Sequence, residues 1–128
     1  MTSILSKGAP APKEYFTGTV LVNLVVSPED KLNSVIAVVA FEPTARTNWH
    51  THPQGQILIV TEGLGYYQEK GKPIQEIKKG DVVKIPINVE HWHGGSHSNG
   101  MTHIAIVSAD KNASNWMQPV TDEEYNAH

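Results

Sequence analysis

The chain has 128 residues, about one ordinary domain, with no Cys and a formal net charge of −3. That excludes a disulfide framework, thiolate ligands and a cysteine nucleophile, and it gives no electrostatic reason to expect nucleic acid or an anionic membrane as partner. No run approaches the roughly 18 apolar residues of a membrane span, and residues 1–13 lack the basic and then apolar regions of a signal peptide, so a cytoplasmic protein is expected.

In chain order, Gly8-Ala9-Pro10-Ala11-Pro12 forms neither helix nor strand well, so residues 1–13 read as an extended arm before one domain, 14–128. Residues 15–26 and 34–41 are rich in Val, Ile and Thr and read as strands, with a turn at Ser27-Pro28-Glu29-Asp30. Strands at 47–52 and 56–61 follow. Gly63-Leu64-Gly65 introduces another at 66–69, Lys70-Gly71-Lys72-Pro73 turns into 74–77, and Lys79-Gly80-Asp81 turns into 82–85. The last strands are 91–93 and 101–108. A brief turn is expected near residues 112–116, with Trp116 packed on the barrel. Thr121-Asp122-Glu123-Glu124 has the form of a capping box and predicts a short helix over 121–126. Short strands at even spacing predict an all-β sandwich or barrel.

The chemistry lies in two histidine pairs, His50-Thr51-His52 and His91-Trp92-His93, with Gln56 beyond the first. Imidazole is the commonest protein metal ligand, and alternate residues of a strand share a face. Each pair is therefore expected to present two rings to one side, which predicts a metal site inside the barrel. His103, Ala105 and Val107 share a strand face. Ala37, Val39 and Phe41 share another.

The spacing of these residues resembles the cupin superfamily. Thr44, His50, His52, Gln56 and Gly63 stand at the places of its first motif, Gly-x5-His-x-His-x3,4-Glu-x6-Gly. Gly80, Pro86, Asn88, His91 and Gly95 stand at those of its second, Gly-x5-Pro-x-Gly-x2-His-x3-Asn. Thr44, Gln56, Asn88 and Gly95 depart from the pattern. Asn88 is a mild change, because Asn tolerates the left-handed turn conformation. Further segments, among them Phe41-Glu42-Pro43, Trp49-His50-Thr51-His52-Pro53, His91-Trp92-His93-Gly94 and Val120-Thr121-Asp122-Glu123, are similar to those of small bacterial cupins, a group that includes manganese-dependent hydroxynitrile lyases. The resemblance implies a single-domain double-stranded β-helix, or jelly-roll barrel. It implies His50, His52, Gln56 and His91 as metal ligands, with His93 and His103 near the open coordination positions.

Three imidazoles and an amide leave two open positions on an octahedral ion, the mark of a catalytic rather than a structural site. Manganese is expected from the resemblance, while the donor set also admits Fe, Ni, Co or Zn. With Gln56 in place of Glu the ion keeps its full charge and is a stronger Lewis acid. The two-His-one-carboxylate set of many iron oxygenases is also missing. His93 and His103 are candidates for acid–base work, and Thr47 for hydrogen bonding a ligand. Ala37, Val39 and Val107 are expected to leave room for an apolar or aryl substrate. His97 is expected in solvent, and His128 is given no role. The expected function is metal-dependent lyase cleavage of an α-hydroxynitrile to a carbonyl compound and cyanide. The alternatives are a cupin oxygenase, decarboxylase or isomerase, or a cupin that binds without turnover. A small-molecule substrate is expected, with a homodimer, or a tetramer, covering the barrel edges.

Overall fold

The structure is a computed structural model that describes residues 2–110 and 113–127. The long strands are β3 (Val20–Val26), β4 (Ser34–Phe41), β7 (Gln56–Glu69) and β11 (Met101–Ser108). Shorter ones are β1 (Ala9–Pro10), β2 (Phe16–Thr17), β5 (Arg46–Thr47), β6 (His50–Thr51), β8 (Gln75–Lys78), β9 (Val82–Ile85), β10 (His91–Gly95) and β12 (Asn115–Trp116). One short helix, α1 (Asp122–Tyr125), carries the expected capping box from Thr121. The described part of the chain is thus nearly all β.

The strands run β1-β3-β4-β11-β7-β10-β5-β2, every pairing antiparallel, with β9 and β8 flanking β7 and β12-β6 flanking β10. β7 is the hinge of this curled sheet. Its first half pairs with β11 and β9, and its second half with β10 and β8. The sequence reads as two strands here, but they are one. Gly63 bends the chain at φ 80 without ending the ladder, and the register to β11 slips by one residue between Thr102 and His103.

Other boundaries also move. Gly18, at φ 83, splits residues 15–26 into β2 and β3. The expected strand 47–52 is two fragments, β5 and β6, and His52 lies past the end of β6. The turn expected near residues 112–116 is instead the strand β12 over its described end, while Lys111 and Asn112 lie outside the described residues.

Alternation along the strands points Val20, Val39, Phe41, Leu58, Val60, Ile85 and Met101 into a common core. Leu58 is wholly buried, and such burial contributes about 1.5–3 kcal/mol per large aliphatic side chain. A second cluster, Trp49, Tyr66, Trp92, Val120 and Tyr125, lies under α1. The buried Arg46 ties it down. Its guanidinium donates to the Val120 and Thr44 carbonyls, pairs with Asp122 at 2.8 Å and lies over the Tyr125 ring.

The motif positions that depart from glycine still use glycine's backbone region. Thr44 has φ 68 and Asn88 φ 59. Gly95, where the motif carries Asn, has no room for a Cβ, which would meet the Glu42 carbonyl oxygen at 2.5 Å.

Candidate metal centre

β6 lies against β10 with His50 opposite His91, which brings the two motifs together. Their ring centroids are 4.2 Å apart, and His91 and His93 stack at 5.6 Å with an interplanar angle of 18°. One ring nitrogen from each of His50, His91 and His93 lies within 4.8 Å of the other two. His52 stands beside this trio, its ring 4.8 Å from that of His50 and 5.3 Å from that of His91.

The rings are aimed by their outer nitrogens. Nδ1 of His50 lies 2.8 Å from the Asn48 carbonyl, that of His91 2.9 Å from the Val89 carbonyl, and that of His52 2.8 Å from the Ala113 carbonyl. A carbonyl only accepts, so each Nδ1 carries the proton and each Nε2 carries a lone pair. Burial is the main force on all of them. It holds the His50 and His93 rings well below the ordinary imidazole range, lowers His52, and brings His91 and His103 to about 4. All five are neutral at pH 7, the form that binds metal.

The structure also holds buried polar atoms with no partner: Nε2 of His52, His91 and His93, Oε1 of Gln56, and Nδ1 of His103. Burying such atoms bare costs about 1–3 kcal/mol each, and two of the residues, His91 and His93, belong to the trio whose ring nitrogens lie within 4.8 Å of one another, a grouping that calls for a ligand. A divalent ion fits a set of neutral imidazole nitrogens and one amide oxygen. His103 stands behind His93, its Nε2 3.0 Å from His93 Nδ1, so one proton links two neutral rings.

These groups line one end of a cavity of about 290 Å³. Thr47, His50, His52, Gln56, His93 and His103 all reach it, as do the expected pocket residues Ala37, Val39 and Val107. Val22, Val35, Phe41 and Ala105 extend the apolar wall. Thr47 also steadies the neighbouring strand, because its hydroxyl oxygen accepts from the His93 backbone N–H at 3.2 Å. His91, a member of the trio, is wholly buried and is not among the lining residues.

Sequence reasoning missed part of the cavity wall. Trp116 lines it and lies between Tyr15, stacked at 4.7 Å, and His50 at 4.6 Å, with Phe16 at 5.7 Å. Ser114 also reaches the cavity. The aromatic residues are visible in the sequence, but nothing local ties residue 116 to residue 50. His97 is exposed, as expected, yet it bridges the Tyr66 hydroxyl at 2.7 Å and Asn126 at 2.6 Å. His128 lies outside the described residues.

Residues 37–107 match the model of the cupin domain family. The chain belongs to the cupin family. Among relatives of this cupin, an (R)-mandelonitrile lyase from Granulicella tundricola is 47% identical over 115 residues, covering 89% of this chain and 88% of that one. The crystal structure of a cupin-like protein from Thermotoga maritima superposes with a TM-score of 0.93 at 46% identity, covering 98% of this chain and 96% of that one. A predicted oxalate decarboxylase from the same organism superposes at 0.72 with 18% identity, covering 83% of this chain and 96% of that one, which shows the shared fold alone. Among the described residues no helix is long and apolar enough to cross a membrane.

Proposed function

We propose that this cupin is a metal-dependent lyase that cleaves an α-hydroxynitrile to a carbonyl compound and hydrogen cyanide, in a reversible reaction. The observation that carries the reading is the His93–His103 pair, two neutral rings sharing one proton at the border between a ligand cluster and an apolar cavity. The kinship with a mandelonitrile lyase supports it. Among the described residues lining the cavity there is no Lys or Arg, so a dicarboxylate would find no cationic side chain there. That favours a neutral substrate over a dicarboxylate one.

His50, His52, Gln56 and His91 would hold the ion, manganese by our reading. When bound, it supplies a Lewis acid that polarises the substrate and stabilises developing negative charge. The apolar wall of Ala37, Val39, Ala105 and Val107 receives the organic group and excludes water. The substrate's hydroxyl proton passes to His93 Nε2 as His103 accepts the Nδ1 proton of His93, so that the positive charge is carried by the pair. The carbon–carbon bond breaks, its electron pair leaves with cyanide, and the carbonyl forms. The proton gained by the pair then returns to cyanide.

The experiment is cyanide release from mandelonitrile by protein stripped with chelator and reloaded with manganese. Wild type should release cyanide only when reloaded. His91→Ala should lose both metal and activity. His103→Ala should keep stoichiometric metal and lose about 10²–10⁴-fold in rate, the range of a missing acid–base group. Loss of metal in His103→Ala or His93→Ala would instead make that residue a ligand. Tight metal with no release would sink the lyase assignment and leave oxygen consumption or binding without turnover as the activity to seek.

A further inference from the structure

The three His rings of the site that rest on backbone carbonyls are not held in the same way. His50 and His91 each rest on the carbonyl two residues earlier in their own segment, Asn48 and Val89. His52 takes the Ala113 carbonyl, 61 residues away, and the Ser114 hydroxyl oxygen 3.1 Å from the same Nδ1. His52 lies past the end of β6, so no sheet ladder orients it. Its carbonyl accepts from the Gly55 and Asn88 N–H groups at 2.9 and 3.0 Å, but its ring is oriented by the segment that crosses it.

That segment is fastened on several sides. β12 pairs with β6, Asn115 opposite Thr51 and Trp116 opposite His50. Beyond it the Met117 N–H donates to the Trp49 carbonyl at 2.9 Å, and the Trp49 N–H to the Gln118 carbonyl at 3.0 Å. The Asn48 side chain donates to the Met117 carbonyl at 3.2 Å. The Trp116 ring, packed between Tyr15 and His50, is the anchor of the segment.

We propose that residues 113–118 form a positioning strap whose docking through Trp116 and Ser114 holds His52 as the Nδ1–H tautomer, with Nε2 bare for the ion. The inference rests on the metal-site reading but not on the lyase chemistry. Without the strap, an imidazole in water places its proton on either nitrogen, and the Nε2–H form is no ligand at that atom. His91 keeps its local carbonyl whatever the strap does, whereas His50 keeps the Asn48 carbonyl but packs against Trp116. Loosening the strap therefore falls hardest on His52 and spares His91. Outer hydrogen-bond partners of ligating histidines typically carry about 10–100-fold in metal affinity.

The test reads tautomers directly. Long-range ¹⁵N–¹H NMR on metal-free protein near pH 8 should show His50, His52 and His91 all as Nδ1–H. In the Ser114→Ala/Trp116→Ala double variant, His52 should become a mixture while His91, which has no contact with the strap, stays unchanged as the internal control. Manganese affinity, measured by competition with a chelator, should fall about 10–100-fold. Trp116→Phe, which keeps a ring in place, should restore most of both signals. A double variant whose His52 stays Nδ1–H with wild-type affinity would overturn the proposal, and so would equal loss of tautomer at all three rings. If the double variant does not fold, Ser114→Ala alone should still move His52, and no change there overturns the proposal. A His52 tautomer that follows the strap in a protein that never binds metal would uphold the strap and defeat the metal reading instead.

Discussion

The two ends of the cavity are built on opposite plans. The apolar end is carried by β4 and β11, eight residues each, paired without interruption from Met101–Phe41 to Ser108–Ser34. The polar end is carried by fragments, β5 and β6 of two residues each, β10 of five, and a histidine that belongs to no strand. Long ladders supply a fixed wall with little strain. Fragments let several rings converge from different directions, at the cost of polar atoms buried without partners. His103 joins the two plans: it stands on the regular strand, yet its ring reaches His93.

The largest effect expected from this contrast is on stability at acid pH. In the metal-free protein His91 and His103 titrate at about 4, against about 6.5 in an unfolded chain, because burial penalises the charged ring. Between those values the unfolded state binds more protons than the folded one, so stability rises with pH. It is full above about 6.5 and is lost as pH falls toward 4. Each ring contributes roughly 3 kcal/mol once the loss is complete, and His50, His52 and His93 act in the same direction. Denaturant midpoints of metal-free protein between about pH 7 and 5 isolate this limb, since most carboxylates titrate lower. A flat profile there would mean that the polar end is not dry.

A smaller effect should separate the ends. Ala37 lies opposite Ala105 on the apolar wall. Ala37→Phe places a ring in the cavity and should weaken an aryl substrate about 10–100-fold in KM, with manganese affinity unchanged. A small aliphatic hydroxynitrile should be affected less. Comparable loss of metal in this variant would show that the two ends are mechanically one.

Legibility in the sequence follows the same division. β4 and β11 are readable to the residue, because each is an eight-residue run dominated by β-branched and small apolar residues. The capping box of α1 is readable because it is local. For β10 the alternation rule holds, and His91 and His93 stack on one face. For His50 and His52 it is not the reason they meet. Their rings stand at 85°, and His52 is held from residues 113 and 114. The one-strand course of β7 is hidden because Gly63 and Gly65 look like a turn, while their neighbours on β11, β10 and β8 keep the ladder whole. Trp116 reads from the sequence only as packing on the barrel. Its place over His50 depends on a pairing between segments far apart in the chain, which no local pattern encodes.

The smallest effect concerns the loop that joins the two plans. Thr44, between β4 and β5, holds φ 68, a conformation that costs a β-branched residue about 1–3 kcal/mol. It is kept there by its neighbours: its N–H donates to the Ser96 carbonyl at 3.0 Å, and its carbonyl accepts from Arg46 at 3.0 Å. Both are backbone groups, so Thr44→Gly keeps each contact and removes the strain. Glycine returns about 0.5–1 kcal/mol to the unfolded chain as entropy, which leaves a net gain of about 1 kcal/mol and a rise of a few degrees in Tm. Metal affinity and turnover should not change, because the Thr44 side chain is not part of the site. Asn88→Gly, at φ 59, should gain less, since Asn bears the left-handed conformation with little strain. A fall in Tm for Thr44→Gly would mean that the threonine side chain contributes more to this loop than its backbone strain removes.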